Sequence, residues 1–264
     1  MDRRLASLLN GIGKNPGRTI VCAHRGDRAN APENTLSAFQ SAVDLGVEAV
    51  EFDIHLTADN KIVVIHDDDV ARCSNGAEKI RRLRLGPLRR LDFGSWFNPR
   101  FRGERIPTLD EALELMRGKA IPVIEIKHDK EDYSPEIECL LLRTLDTHEM
   151  RRSVMVISFD GRILKRLHEK DGKLLLGALG RNDPVFLPKW VGGYHPPIDE
   201  ISADHVRDAH EGRHWVFPWN ADDQATMKRM MEVGVDIIGT DYPEILLRLL
   251  RDMEECAARP AAAT

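Results

Sequence analysis

Short β-branched or apolar runs alternate with helix-period segments along nearly the whole chain, and few folds accommodate that order. Strand and helix in alternation argue for βα units on a mainly parallel sheet. The runs that read as strands are "TIVCAH", "AVEFDIH", "KIVVIH", "IPVIEIK", "SVMVISF", "KLLLGAL", "EISAD", "HWVFPW" and "DIIGT". Between them lie "ENTLSAFQSAVDLG", "TLDEALELMRG", "EIECLLLRTLDTH", "DGRILKRLHEK" and "DQATMKRMMEVG", with apolar residues at helical spacing, usually opened by a capping Asn, Thr or Asp and closed by Gly. With "KIVVIH" as a hairpin partner of the run before it, about eight units remain, so the expected class is α/β, a (β/α)8 TIM barrel. A chain of 264 residues has the length for one such domain.

The rhythm breaks once. Residues 67–107 carry Gly, Pro and aromatics with little periodicity, and read as a small insertion after the second strand region. Its Trp96, Phe97 and Phe101 argue against disorder. The expected division is an N-terminal arm over 1–18, a single barrel over 19–250 with its insertion at about 67–107, and a C-terminal tail over 251–264. The helix-period segment "PEILLRLLRDMEEC" could pack on a barrel flank or on a partner subunit, which leaves a homodimer open.

Composition excludes several function classes. With 38 basic and 43 acidic residues interspersed and a net charge of -5, no basic face for nucleic acid or an anionic membrane is expected. Cys22, Cys73, Cys139 and Cys256 stand far apart with no CxxC pair, so neither a zinc cage nor a disulfide framework is suggested. No stretch approaches the roughly 20 apolar residues of a membrane span. The opening "MDRRLASLLNGIGKNPGR" is a poor signal peptide because Asn10, Gly11 and Gly13 break its apolar run. A cytoplasmic location is the expectation.

The polar residues of interest fall at or near the C-terminal ends of the apolar runs: His24, Arg25, Glu51, Asp53, His66, Glu125, Lys127, Ser158, Trp219 and Asp241. In a barrel, those ends and the loops after them converge on one mouth. Period 2 points Glu51 and Asp53 to one side of "AVEFDIH", and close carboxylates repel unless a proton or cation lies between them. A hard divalent metal with oxygen ligands fits, although two solvated acids on an exposed edge would read the same way. "VIEIK" repeats the device with Glu125, and Lys127 on the same face suits a phosphate oxygen or a salt bridge to Glu125. His24 and His66 end separate runs and can serve as base and acid near neutral pH. His55 shares the Asp53 face but precedes a turn, and ranks lower.

Taken together, the motifs resemble those of the glycerophosphodiester phosphodiesterase family. The resemblance rests on "AHRGDRANAPENTLSAF", "GVEAVEFDIHLTADNKIVVIHDDDVARCSNG", "LDFGSWFNPRFRGERIPTLDEAL", "IPVIEIK", "VISF" and "GVDIIGTDYPE", in order over about residues 20–247. It implies a barrel with an inserted subdomain, hydrolysis of glycerophosphodiesters to sn-glycerol 3-phosphate and an alcohol, and one divalent cation. Carried residue by residue, it implies metal ligation by Glu51, Asp53 and Glu125, acid/base work by His24 and His66, and phosphate binding by Arg25 and Lys127. Trp219 matches a family tryptophan and would form an apolar wall for the glycerol. The chain departs from the family after it, reading "WNAD", which leaves Asp222 without an implied role. The mechanism implied is attack of the glycerol 2-hydroxyl on phosphorus to give a cyclic phosphate that water opens.

Three carboxylates and no Cys suit Mg or Ca first, and Mn as well. The expected partner is a small-molecule glycerophosphodiester. Two other readings compete: a lysophospholipase D or sphingomyelinase D-like activity, with Trp96, Phe97 and Phe101 lining a groove for the lipid chain, and a phosphodiester-binding barrel without catalysis.

Overall fold

The computed structural model describes residues 19–127 and 134–258. Its strands are β1 (Ile20–His24), β2 (Ala49–Leu56), β3 (Ile62–Val64), β4 (Ile121–Ile126), β5 (Met155–Ser158), β6 (Leu175–Leu179), β7 (Gly193–His195), β8 (Trp215–Val216) and β9 (Ile237–Thr240). All but β3 run parallel, in the order β8, β7, β6, β5, β4, β2, β1, β9. Across the remaining gap, the Asp236 amide donates to the Val216 carbonyl at 3.1 Å and the Ala221 amide to the Gly239 carbonyl at 2.9 Å. These bonds bring the sheet almost to closure, and the fold is the (β/α)8 barrel expected from the alternation. Strand β3 pairs antiparallel with β2, Ile54 opposite Val64, as the hairpin reading required.

Helices cover the outside: α1 (Leu36–Leu45), a single turn α2 (Leu85–Leu88), α3 (Leu109–Met116), α4 (Glu136–Thr147), α5 (Gly161–Lys170), α6 (Ala203–Glu211), α7 (Gln224–Val233) and α8 (Pro243–Ala258). Helices α1, α3, α5, α6 and α7 each open on a side-chain cap. Thr35 accepts from the Ala38 amide, and Thr108 forms a reciprocal capping box with Glu111. Helix α8 buries Leu246 and Leu249 on the barrel flank, and it continues through residues 251–258 of the stretch read as a tail. The stretch read as an arm, 1–18, lies outside the described residues.

The period-2 alternation of the strands divides the core into two layers. Val21, Phe52, Ile54, Ile124 and Ile126 face the helices, where Phe39 of α1 meets Phe52 at 5.4 Å. Cys22, Ala49, Val123, Met155, Ile157, Trp215 and Ile237 fill the barrel interior. Each fully buried aromatic or aliphatic side chain contributes roughly 1.5–3 kcal/mol. The charged residues that continue the interior rows, Glu51, Asp53 and Glu125, stand toward the C-terminal mouth.

The seventh barrel strand differs from the sequence expectation. "EISAD" is not a strand: Ile198–Glu200 forms a 3-10 turn, and Ser202 caps α6 by accepting from the His205 amide. The strand is "GYH" instead, three residues between Gly192 and Pro196, too short and too Gly/Pro-flanked to show a period. Gly193 is required there because the Trp215 ring occupies the space a Cβ would take.

The 67–107 region folds over β3 with its own small core of Val70, Cys73, Ile80, Leu88, Phe93 and Ile106. Arg100 donates to the Asn30 carbonyl at 2.6 Å and Ser37 to Glu104 at 2.6 Å, tying the region to the turn after β1.

Candidate active site

Strand register assembles the site. His24 of β1 pairs with Glu51 of β2, and Asp53 of β2 with Glu125 of β4, so the interior rows end on adjacent charged residues. Among the described residues, Glu51, Asp53 and Glu125 offer ligand oxygens that all lie within 4.8 Å of one another, and all three are buried. At that separation and an effective dielectric of about 20, two carboxylate charges repel by about 3.5 kcal/mol. Burial, then Asp53 and Glu125, push the Glu51 carboxyl well above its ordinary value. Burial likewise raises Glu125 to about 7, with Lys127 opposing and Asp53 reinforcing. Asp53 is the ionised member: burial opposes its charge, but Lys127 and Arg25 hold it far below the usual range.

Lys127 lies between two of the acids, its Nζ 2.7 Å from Glu125 Oε1 and 2.8 Å from Asp53 Oδ1. Asp53 Oδ1 is buried, and the Lys127 ammonium is the charge that faces it. The salt bridge expected between Lys127 and Glu125 is thus present and shared with Asp53, and the same ammonium lines the cavity.

The turn after β1 explains "HRGD" and "PENT". Arg25 takes a left-handed backbone at φ 57, which aims its amide at Glu51 Oε2, 3.1 Å away. Gly26 follows at φ 83, where a Cβ would strike Ala38 of α1, so the helix packs directly on the turn. The Arg25 guanidinium donates to Glu33 at 2.8 Å and reaches Asp53 at 3.5 Å. Asn34 donates to Asp53 Oδ2 at 2.8 Å, and Thr35 caps α1. Arg25 and Asn34 thus converge on Asp53 from the two ends of the turn.

Both strand-end histidines border the same cavity of about 230 Å3, with Arg25, Glu51, Glu125, Lys127, Phe159 and Trp219. His24 Nδ1 lies 2.6 Å from Asp241 Oδ1, and its Nε2 lies 3.9 Å from Glu51 Oε2. The Asn220 carboxamide is 2.7 Å from the same Nδ1. His66 Nδ1 lies 2.8 Å from Asp67 Oδ1. Burial lowers the His66 pKa, with Asp53 opposing and Lys127 reinforcing, which favours the neutral ring. His55 donates Nε2–H to the His66 carbonyl at 3.1 Å, holding the strand-end backbone.

The apolar side of the cavity comes from Phe159, Leu179, Phe217 and Trp219. Trp219 donates its indole N–H to the His195 carbonyl at 3.1 Å and meets Phe159 edge-on at 5.9 Å. His195 packs between Trp215 and Phe217, and burial pushes it down to about 3, so it serves as a neutral filler beneath the mouth. Trp96, Phe97 and Phe101 pack on one another edge-on at 5.8 Å and are not among the cavity-lining residues.

All eight proposed site residues therefore meet at one mouth. Sequence reasoning assigned no role to Glu33, Asn34, Asp67, Asn220, Phe159 or Asp241, although Asp241 stood out as a polar strand end. Asp222 accepts from the Asp241 amide at 2.8 Å and fixes that loop. Ser158 donates to the Ile126 carbonyl at 3.0 Å, pinning β5 to β4.

The model of the glycerophosphoryl diester phosphodiesterase family matches residues 24–245. A glycerophosphodiester phosphodiesterase of Caldanaerobacter subterraneus subsp. tengcongensis is 38% identical over 240 residues, 89% of this chain and 98% of that protein. A Silicibacter pomeroyi protein of known structure superposes with a TM-score of 0.85 at 25% identity, covering 94% of this chain and 98% of its own. An Oleispira antarctica phosphodiesterase, solved in complex with the product sn-glycerol-3-phosphate, superposes with a TM-score of 0.80 at 26% identity, over 88% of this chain and 96% of its own.

Proposed function

The chain belongs to the glycerophosphoryl diester phosphodiesterase family and is one of its phosphodiester-hydrolysing enzymes, and from that premise we propose how its residues divide the work. The substrate is a glycerophosphodiester, cleaved to sn-glycerol 3-phosphate and an alcohol. One divalent cation, Mg or Ca before Mn, is held by Glu51, Asp53 and Glu125. The observation that carries this reading is the meeting of those three buried carboxylates with two aspartate-held imidazoles in one cavity.

The donor set fits such an ion. The three acids supply only hard oxygens, and two of them resist ionisation without a cation. When bound, the ion neutralises phosphoryl charge and lowers the pKa of a coordinated hydroxyl.

The protein's own groups supply the rest. Arg25 and Lys127 face the phosphoryl oxygens and offset their charge. One imidazole removes the proton from the attacking 2-hydroxyl of glycerol, and the other protonates the departing alkoxide, giving a cyclic phosphate. Water opens that ring with the proton transfers reversed. Trp219 packs the carbon face of the glycerol, with Phe159 at its edge. The catalytic unit is the barrel over 19–250 with its insertion at about 67–107. Among the described residues no helix is long and apolar enough to cross a membrane.

One observation favours a second reading. Phe159 is 55% exposed at the cavity rim, where it could meet the acyl chain of a lysolipid. The test is release of glycerol 3-phosphate from glycerophosphocholine and glycerophosphoethanolamine by metal-stripped protein re-supplied separately with Mg, Ca, Mn and Zn, with a long-chain lysolipid as a parallel substrate. Turnover of the glycerophosphodiesters restored by a hard cation supports the first reading, and turnover of lysolipid alone supports the second. Glycerol phosphate binding without turnover under any metal would leave a binding barrel.

A further inference from the structure

We propose that Glu33 is a positioning residue that holds both acid/base imidazoles at once, through two matching arms of aspartate and arginine. The proposal rests on the assignment of His24 and His66 as the acid/base pair.

The first arm starts at His24. Its Nδ1 lies 2.6 Å from Asp241 Oδ1, Asp241 Oδ2 forms an ion pair with Arg28 Nη1 at 3.1 Å, and Arg28 Nη2 reaches Glu33 Oε2 at 3.2 Å. The second arm starts at His66. Its Nδ1 lies 2.8 Å from Asp67 Oδ1, and Asp67 Oδ2 accepts from Arg72 Nε at 2.6 Å. Arg72 then donates a two-point pair to Glu33, Nη1 to Oε2 at 3.0 Å and Nη2 to Oε1 at 2.9 Å. The two arms come from neighbouring parts of the mouth, one from the turn after β1 and the loop after β9, the other from the loop after β3.

An aspartate on Nδ1 fixes the tautomer and leaves Nε2 free for proton transfer. Each aspartate is itself held by a guanidinium, and a planar two-point Arg–carboxylate contact fixes orientation as well as distance. Glu33 is where the arms meet, and its side chain is only 2% exposed. Burial disfavours its charge, yet the hydrogen bonds from Arg72 and the charges of Arg25 and Arg28 hold it ionised, at about 2. A buried anion surrounded by three guanidiniums cannot be neutralised without all three losing their common partner. Glu33 also holds Arg25, so one side chain sets the spacing between both imidazoles and the phosphate-facing cation.

The readout is the pair of low-field imidazole N–H proton signals in the full chain supplied with Mg2+, recorded beside kcat for glycerophosphocholine. Asp241→Asn and Asp67→Asn assign the His24 and His66 signals. Glu33→Gln is expected to shift or broaden both signals and to lower kcat about 10-fold or more, the scale of a small misplacement of reacting groups. Arg28→Met should disturb only the His24 signal, and Arg72→Met only the His66 signal. These single-arm variants carry the test even if Glu33→Gln fails to fold. Both signals unmoved in Glu33→Gln, or each arm variant leaving its own histidine unmoved, would overturn the proposal. Wild-type turnover in His24→Ala and His66→Ala would instead remove the acid/base assignment, with the signals still reporting the geometry.

Discussion

Asn34, held in the left-handed region at φ 57, donates its side-chain N–H to Asp53 Oδ2 at 2.8 Å, so the turn that starts α1 also aims a buried carboxylate. Removing a hydrogen-bond partner from a metal-ligating group typically costs about 10- to 100-fold in metal affinity. Asn34→Ala is therefore expected to weaken Mg2+ binding by about that factor, measured by calorimetric titration of metal-stripped protein. An unchanged dissociation constant would mean that Lys127 and Arg25 alone orient Asp53.

His24→Ala or His66→Ala should each lower kcat for glycerophosphocholine by about 100-fold or more, the usual scale for a positioned acid or base. The KM should move far less, because neither ring is assigned to binding. Steady-state kinetics on both variants decides it, and near-wild-type turnover of either removes that histidine from proton transfer.

The paired change Glu51→Gln with Asp53→Asn should abolish metal binding while the fold survives. Both side chains keep their size and lose their charge, which removes two of the three hard oxygen donors and also takes Asp53 from its ion pairs with Lys127 and Arg25. Added Mg2+ should therefore no longer raise the melting temperature of the variant, whatever its metal-free value. A lower Tm with metal binding intact would mean that these acids hold the structure rather than an ion.

Much of this site was legible in the sequence because strand ends announce themselves. His24, His66 and Lys127 close apolar runs, Glu51, Asp53 and Glu125 stand within or near the ends of theirs, and period 2 gives the strand acids one face. The fold followed from the same alternation. Strand β7 did not, because "GYH" has no period and its first residue must be Gly to clear Trp215. The supporting partners were hidden for another reason. Asp241 is 217 residues from His24 and Arg72 is 39 from Glu33, and no local pattern predicts contacts that only barrel closure and the folded insertion create.

Metal-free stability should carry a mark of Glu125. Its folded-state carboxyl, raised by burial to about 7 from an ordinary 4.5, keeps its proton across a range where the unfolded chain has lost it. Its contribution is full below about 4.5 and is lost as pH rises through about 7. Between those values the Tm of wild type in chelator should fall relative to Glu125→Gln, which does not titrate. Saturating Mg2+ should reverse the trend, because the ion replaces the proton. A Tm difference that stays flat with pH would mean that Lys127 keeps Glu125 ionised throughout.

The cavity wall sets which alcohol can leave. Phe159 meets Trp219 edge-on at 5.9 Å and is 55% exposed, so it offers apolar surface at the rim without being needed for the core. Trp219 is anchored by its bond to the His195 carbonyl and is the ring we assign to the glycerol. The two rings should therefore separate in their effects. Trp219→Ala should raise KM about 10-fold for every glycerophosphodiester, because the glycerol is common to all and losing an apolar contact of that size costs about 1–3 kcal/mol. Phe159→Ala should leave glycerophosphoethanolamine nearly untouched and weaken only esters of larger or more apolar alcohols. Comparing kcat/KM for glycerophosphoethanolamine, glycerophosphocholine and glycerophosphoinositol, which differ only in the leaving alcohol, across both variants checks the division. Equal losses on all three substrates in Phe159→Ala would place that ring in the support of Trp219 rather than in contact with the leaving group.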